Sequence, residues 1–194
     1  RTAEGDFFGL RDWRAGDSRR LIHWRSSARR RNLVVRQFEQ QHQQDLSLMV
    51  DLWQSERPST EEIKAIETAV SFAATVVNHL CRRGDSRLAL GLAGKDFNQI
   101  KGTASMALLG EIMEHLSVVE ADVHTRLSNL VQQGLEELPA GATALLVSTR
   151  HVDLESRETF ADLPEETWLR LHRRGVVCID VHSDRLSEFF RLDE

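Results

Sequence analysis

Asp51 closes an apolar run, LSLMVD, and Ser55 follows four residues later, with Thr103 well downstream. Carboxylate and hydroxyl oxygens are the donors that a hard cation such as Mg²⁺ prefers. A second polar group, Ser148-Thr149-Arg150-His151, ends another apolar run, and Asp180, His182, Ser183 and Asp184 end a third. Histidine beside carboxylates and hydroxyls is the raw material of general-base chemistry. His151 and His182 are nevertheless read as loop histidines. The chain has no GxxxxGK[ST] or GxGxxG phosphate loop, no GxSxG elbow and no CxxC pair, so phosphate-loop, α/β-hydrolase and zinc-ribbon chemistry lack their signatures.

For these residues to meet, the apolar runs must be strands and the segments between them helices. The run 46–52 and one residue beyond reads as a buried parallel strand. Ser59-Thr-Glu-Glu62 has capping-box spacing, and Ile63, Ile66, Val70, Ala73, Ala74, Val77 and Leu80 recur at helical steps up to Arg83, where Gly84 is a natural stop. RLALGLAG (87–94) predicts a second strand and DFNQI a partly exposed third. Gly102-Thr103 is read as opening a helix from about Ala104 to Leu116. Asp122 is read as capping another, from about Val123 to Leu138, broken by Pro139. ATALLVST (142–149) is a strand, Pro164-Glu-Glu starts a helix running to about Arg173, and GVVCIDVHS (175–183) is the last strand, before a short amphipathic tail, RLSEFFRL. Alternating strands and helices predict an α/β fold with a mostly parallel, Rossmann-like sheet covered on both faces. In such sheets ligands bind at the carboxyl ends of the strands, where the polar groups above fall.

The chain has 194 residues, 41% hydrophobic and 28% charged, enough for one domain and a small appendage. No apolar run reaches the roughly 18–20 residues of a membrane span, and Arg1 opens a polar segment without the apolar core of a signal peptide. The first residue is not Met, as in a fragment. Cys81 and Cys178 sit in apolar segments and are read as reduced core residues, which favours a reducing compartment.

Charge is unevenly spread. Residues 1–36 hold ten Arg against Glu4, Asp6, Asp12 and Asp17, a balance of +6, so an overall charge of −5 leaves −11 for the rest. The stretch GLRDWRAGDSRRLIHWRSSARRRNLVVRQFE, from Gly9 to Glu39, has nine arginines, no lysine and two tryptophans. A nucleic-acid arm would use its arginines on phosphates and Trp13 or Trp24 on bases. Asp12 and Asp17 interrupt the run, however, and lysine is missing, so nucleic acid is not the expected partner. Plain solvated surface suits Arg29, Arg30 and Arg31, ahead of a turn at Asn32. The preferred reading is a folded clasp, residues 1–44, packing on a body of residues 45–194. There Asp17 caps a helical turn, Arg20 and Arg25 pair with carboxylates or carbonyls, Ile22 and Trp24 bury apolar surface, and LVVRQF (33–38) is a strand. Exposed arginines are left for an acidic partner.

The same stretch resembles the signature of the bacterial family called domain of unknown function 58. Gly9, Arg11, Trp13, Gly16, Asp17, Arg20, Ile22, Trp24, Ser27, Ala28, Arg29, Leu33, Val35, Arg36 and Glu39 fit it. The resemblance implies a von Willebrand factor A-like body, beginning with an apolar strand that ends in Asp, as LSLMVD does. It also implies an intact protein anchored in the inner membrane by segments not present here, with this part on the cytoplasmic side. The expected partner is a MoxR-type AAA+ ATPase in chaperone-like or maturation tasks, through Arg11, Trp13, Asp17, Arg20, Trp24, Arg25, Arg29 and Arg36 of the signature. No enzymatic activity is implied. Von Willebrand A domains often hold Mg²⁺ by D-x-S-x-S, a distant Thr and a distant Asp. Asp51 matches the first Asp, Ser55 the second Ser and Thr103 the threonine. Trp53 replaces the first Ser, and Arg150 stands where the last Asp belongs. A guanidinium repels Mg²⁺ at short range, so the resemblance implies a degenerate site, with Arg150 filling the ion's place and no cofactor. A Mg²⁺-dependent or hydrolytic enzyme using Asp51, Ser55 and Thr103 is the alternative.

Overall fold

In the computed structural model, residues 7–38, 45–84, 86–136, 138 and 141–181 are described. The expected strand end at His182, Ser183 and Asp184, the tail RLSEFFRL, Pro139 and Glu39 lie outside them. The chain divides into two compact units, residues 1–42 and 43–194.

In the first unit, β1 (Phe7–Asp12) pairs antiparallel with β2 (Val34–Phe38), Arg11 opposite Val35. Between them lie a 3-10 turn (Arg19–Leu21) and a short helix, α1 (Trp24–Arg30). Ser27 is buried because it knits α1 to β2: its Oγ accepts from the Val34 N–H at 2.9 Å and donates to the His23 carbonyl at 3.1 Å. Ile22, Val34 and Val35 are buried. Gly16 has φ +104°, a region that side chains rarely enter.

Three expectations for this unit are corrected. Asp17 does not cap the helical turn; Ser18 does, its Oγ accepting from the Arg20 N–H at 3.4 Å. Asp17 instead takes Arg11 through two bonds of 2.7 Å and the Arg14 N–H at 2.8 Å. Trp24 is 66% exposed rather than buried, because Ser27 occupies the inward face of α1. Arg20 and Arg25 are exposed, and their side chains have no hydrogen bond or ion pair among the described residues.

The Arg11 guanidinium and the Arg14 N–H hold the Asp17 carboxyl down at about 2, below its ordinary value of about 4. A lowered folded-state pKa contributes stability that is present above about 4 and lost as pH falls toward about 2. Carboxyl NMR is expected to place the Asp17 midpoint near 2 and Arg11→Ala to move it upward. A wild-type midpoint near 4 would mean that the pair does not persist in solution.

The second unit is a mixed α/β fold around a five-stranded sheet in the order β5-β4-β3-β6-β7. The strands are β3 (Leu46–Asp51), β4 (Arg87–Ala93), β5 (Phe97–Thr103), β6 (Thr143–Ser148) and β7 (Val177–Asp180). All neighbours run parallel except β4 and β5. Alternation along the strands feeds two cores. Leu48, Val50, Leu90, Leu92 and Val147 face α2 (Thr60–Arg83) and α3 (Met106–Val118). Met49, Ala93 and Leu146 face α4 (Leu127–Glu136) and the Phe160–Leu171 region that includes α5 (Glu165–Arg174). The predicted two-sided burial thus holds. No helix among the described residues is long and apolar enough to cross a membrane.

Helix ends follow local chemistry. Ser59 Oγ accepts from the Glu62 N–H at 3.2 Å, and Glu62 returns a bond to the Ser59 N–H at 2.7 Å, closing the expected capping box. Gly84 and Gly175, both at positive φ, end α2 and α5. Cys81 and Cys178 are free thiols. Burial pushes the Cys178 thiol up to about 11, which suits a core residue and not a nucleophile.

Two helix starts differ from expectation. Thr103 opens no helix. It completes β5 opposite Arg87, and Ser105 caps α3 by accepting from the Leu108 N–H at 3.2 Å. α4 starts at Leu127 rather than near Val123, because the preceding backbone is committed elsewhere. Asp122 N–H donates to the Leu52 carbonyl and Gln54 N–H to the Asp122 carbonyl, both at 3.1 Å. A backbone paired with 52–54 cannot also coil into a helix. Among the described residues the last strand is Val177–Asp180, so it starts two residues later than expected.

Candidate functional site

Asp51 ends the central strand, with Ala93 beside it on β4 and Ser148 on β6. Its side chain is fully buried. Ser148 Oγ donates to Asp51 Oδ2 at 3.0 Å, and Arg150 Nε donates to the same oxygen at 3.0 Å. Arg150 follows β6 closely, and its backbone N–H donates to Ser148 Oγ at 3.2 Å, which turns the side chain back over the strand ends. The far end of the guanidinium is also held: Nη2 donates to Thr125 Oγ1 at 2.9 Å, and Cζ lies 5.8 Å from the centre of the Trp53 ring, within cation–π range. Thr149 Oγ1 donates to the Trp53 carbonyl at 2.6 Å and so fixes the backbone that carries the indole. Asp51 Oδ1 is buried with no hydrogen-bond partner.

Thr125 is brought in by the loop that crosses the sheet end before α4. That loop approaches β4 so closely that a Cβ on Gly94 would run into the Glu120 carbonyl oxygen. Arg150 lines a cleft of about 600 Å³ with Thr125, Arg126, Asn129, His151 and Asp162. His151 is 85% exposed, with Nδ1 3.4 Å from Asp180 Oδ2.

Asp51, Ser55 and Thr103, the residues of the degenerate Mg²⁺ pattern, do not converge. Thr103 pairs with Arg87 at the far end of β4, whereas Asp51 pairs with Ala93. Six strand positions at about 3.3 Å each put it about 20 Å away. Sequence spacing misleads here because β5 runs antiparallel and carries its last residue back to the wrong edge. The threonine that Asp51 meets is Thr149, whose N–H donates to the Asp51 carbonyl at 3.1 Å, and Thr125 reaches the group only through Arg150. Ser55 is engaged elsewhere: its N–H and Oγ both donate to the Glu62 carboxylate at 3.1 Å. The N–H donors of Ser59 and Ser55 hold Glu62 below the usual carboxylate range. Among the described residues Asp51 Oδ1 is the buried side-chain oxygen without a hydrogen-bond partner, and a fixed cation already sits on its partner oxygen. Among the described residues no group of three His, Cys, Asp or Glu side chains could hold a metal ion. With Arg150 bonded to Asp51, Ser55 bonded to Glu62 and Thr103 at the other end of the sheet, the residues present do not fit Mg²⁺ at Asp51.

Sequence reasoning placed Asp51, Trp53 and Arg150 together and missed Thr125 and the hydroxyl role of Ser148. Ser148 was legible as the last residue of an apolar strand parallel to LSLMVD. Thr125 had no signal, since it is positioned by a loop that obeys no periodicity. In the first unit, Arg11 and Asp17 form an ion pair and Trp13 is half-buried with its Nε1 unpartnered. Arg20, Trp24, Arg25, Arg29 and Arg36 are exposed.

A mostly parallel α/β sheet with a buried aspartate–arginine pair at its carboxyl end, preceded by an arginine-rich unit, is the class that this chain defines. The chain belongs to a family: residues 9–148 match the family described as "Protein of unknown function DUF58". An "Uncharacterized protein YeaD" of Bacillus subtilis (strain 168) is 24% identical over 126 residues, covering 65% of this chain and 29% of that protein. The chain thus spans under a third of that relative's length.

Proposed function

We propose that the larger unit is a von Willebrand factor A-like interaction module that works without a metal ion. With its arginine-rich segment it acts as a non-enzymatic adaptor for a MoxR-type AAA+ ATPase, in chaperone-like or maturation tasks. The intact protein is anchored in the inner membrane with this part on the cytoplasmic side. The observation that carries the reading is the Arg150 guanidinium bonded to the buried Asp51 carboxylate where an ion would otherwise be needed. A site neutralised from within has no vacant charge to offer Mg²⁺. Among the described residues it also lacks an assembled nucleophile and base: Ser148 is turned onto Asp51, and His151 faces solvent. The ATPase partnership rests on family resemblance, and the excess of arginines without an ion-pair partner among the described residues of the first unit supports an acidic partner.

Two measurements test this. Calorimetry with Mg²⁺ and Mn²⁺ is expected to show no binding up to millimolar ion. Micromolar binding abolished by Asp51→Asn would establish the metal-dependent alternative. Affinity capture of the intact protein from its native host is expected to retain a MoxR-type ATPase, and its consistent absence would remove the adaptor reading.

A further inference from the structure

We infer that the outer face of α1, centred on Trp24, is the docking face for a protein partner whose own surface is acidic around an apolar recess. The inference rests on the reading of the chain as an interaction module and names the part of it that makes contact. Trp24 is 66% exposed in a helix of seven residues. Ala28, one turn on, is exposed beside it, and Arg25 and Arg29 form the adjoining exposed row, also one turn apart. Ser27, on the remaining side, is the residue that ties the helix to β2. The helix therefore presents an apolar strip flanked by a cationic row, and its inward anchor does not involve either.

Charge points to the occupant. Arg14, Arg19, Arg20, Arg25, Arg29, Arg30, Arg31 and Arg36 are all exposed, and none has an ion-pair partner among the described residues. Arg11 alone of the described arginines here is neutralised, by Asp17. An indole amid guanidinium groups is the composition enriched at the centre of protein interfaces. A nucleic acid would be repelled locally by exposed Asp12 and would have no use for the alanine that widens the strip. The magnitudes separate the two. A buried interface tryptophan is worth at least about 2 kcal/mol, about 30-fold in affinity. Phosphate neutralisation by six or more arginines instead costs about 10³–10⁵ in affinity between 50 and 200 mM salt.

The experiment uses the intact protein and the purified MoxR-type ATPase of the same host, with oligo(dT) and phosphatidylserine vesicles as competing probes. Trp24→Ala and, separately, Arg25→Glu with Arg29→Glu are expected to weaken ATPase binding by about 30-fold or more. All three positions are exposed, so circular dichroism and the melting temperature are expected to be unchanged. Lysine substitutions at surface carboxylates of the ATPase are expected to restore binding of the glutamate variant. If the ATPase binds and Trp24→Ala leaves affinity within threefold, the face is wrong and the adaptor reading stands. If the ATPase does not bind at all, the adaptor reading fails. The face then survives only if an identified acidic protein shows the same Trp24 dependence and charge-swap rescue. Tighter binding to oligo(dT) or to vesicles, lost with the same substitutions, overturns the protein-docking assignment.

Discussion

Arg150→Ala is expected to destabilise the larger unit by about 3–5 kcal/mol. The substitution leaves Asp51, fully buried, with one oxygen already orphaned and the other satisfied only by the Ser148 hydroxyl. An uncompensated charge in that position costs far more than the pair itself contributes. The arginine is 31% exposed, so part of its own solvation returns to it, and the cost falls mainly on the aspartate. Asp51→Asn in the same background is expected to recover much of the loss, because an amide carries no charge to strand. Arg170→Ala, which breaks an exposed pair with Glu166, is the control and is expected to cost under about 0.5 kcal/mol. Urea denaturation of the four proteins measures all of this. A loss below about 1 kcal/mol for Arg150→Ala would mean that water or an ion readily replaces the guanidinium, and the metal-free reading would lose its basis.

Phe160→Ala is expected to cost about 3–5 kcal/mol. Phe160 is fully buried in the core beneath α4 and α5, with its ring 6.1 Å from that of Trp168. Apart from α5, the long connection from Arg150 to β7 is irregular, and Phe160 and Leu163 are the buried side chains that pin its middle. Truncation leaves a cavity that neighbouring backbone cannot easily fill. The same segment supplies Thr159 and Asp162 to the cleft beside Arg150. Hydrogen exchange of residues 153–163 is therefore expected to rise more than that of β3 or β4. Uniformly raised exchange would show that Phe160 stabilises the unit without specially holding this wall. Phe160→Leu, which keeps most of the volume, is expected to lose about half as much.

The larger unit was legible because its signals are periodic. LSLMVD, RLALGLA and TALLVS are each apolar on both sides, as strands covered on both faces must be, and the capping box at Ser59 and the glycines at 84 and 175 mark helix ends chemically. DFNQI, less apolar, reads as partly exposed and is the antiparallel edge strand. The first unit was less legible. Asp17 next to a helical turn looks like a cap, but its carboxylate is taken by an arginine six residues upstream and by the Arg14 N–H, not by the turn that follows. Trp24 looks like a core residue by type, and a two-turn helix has only one inward position, which a serine takes by bonding two strand and loop groups.

The candidate site divides in the same way. Residue types alone determined that Asp51 ends a buried strand and that charge is concentrated in the first segment, while the expectation that Trp53 and Arg150 replace oxygen ligands came from the family resemblance. Spacing along the chain could not determine direction in space. Only the antiparallel return of β5 decided that Thr103 lies at the wrong end of the sheet, and only the loop paired with 52–54 decided that Thr125 meets Arg150. Strand and helix formation depend on neighbours a few residues away, whereas a site at the sheet's carboxyl end depends on which edges the tertiary fold brings together.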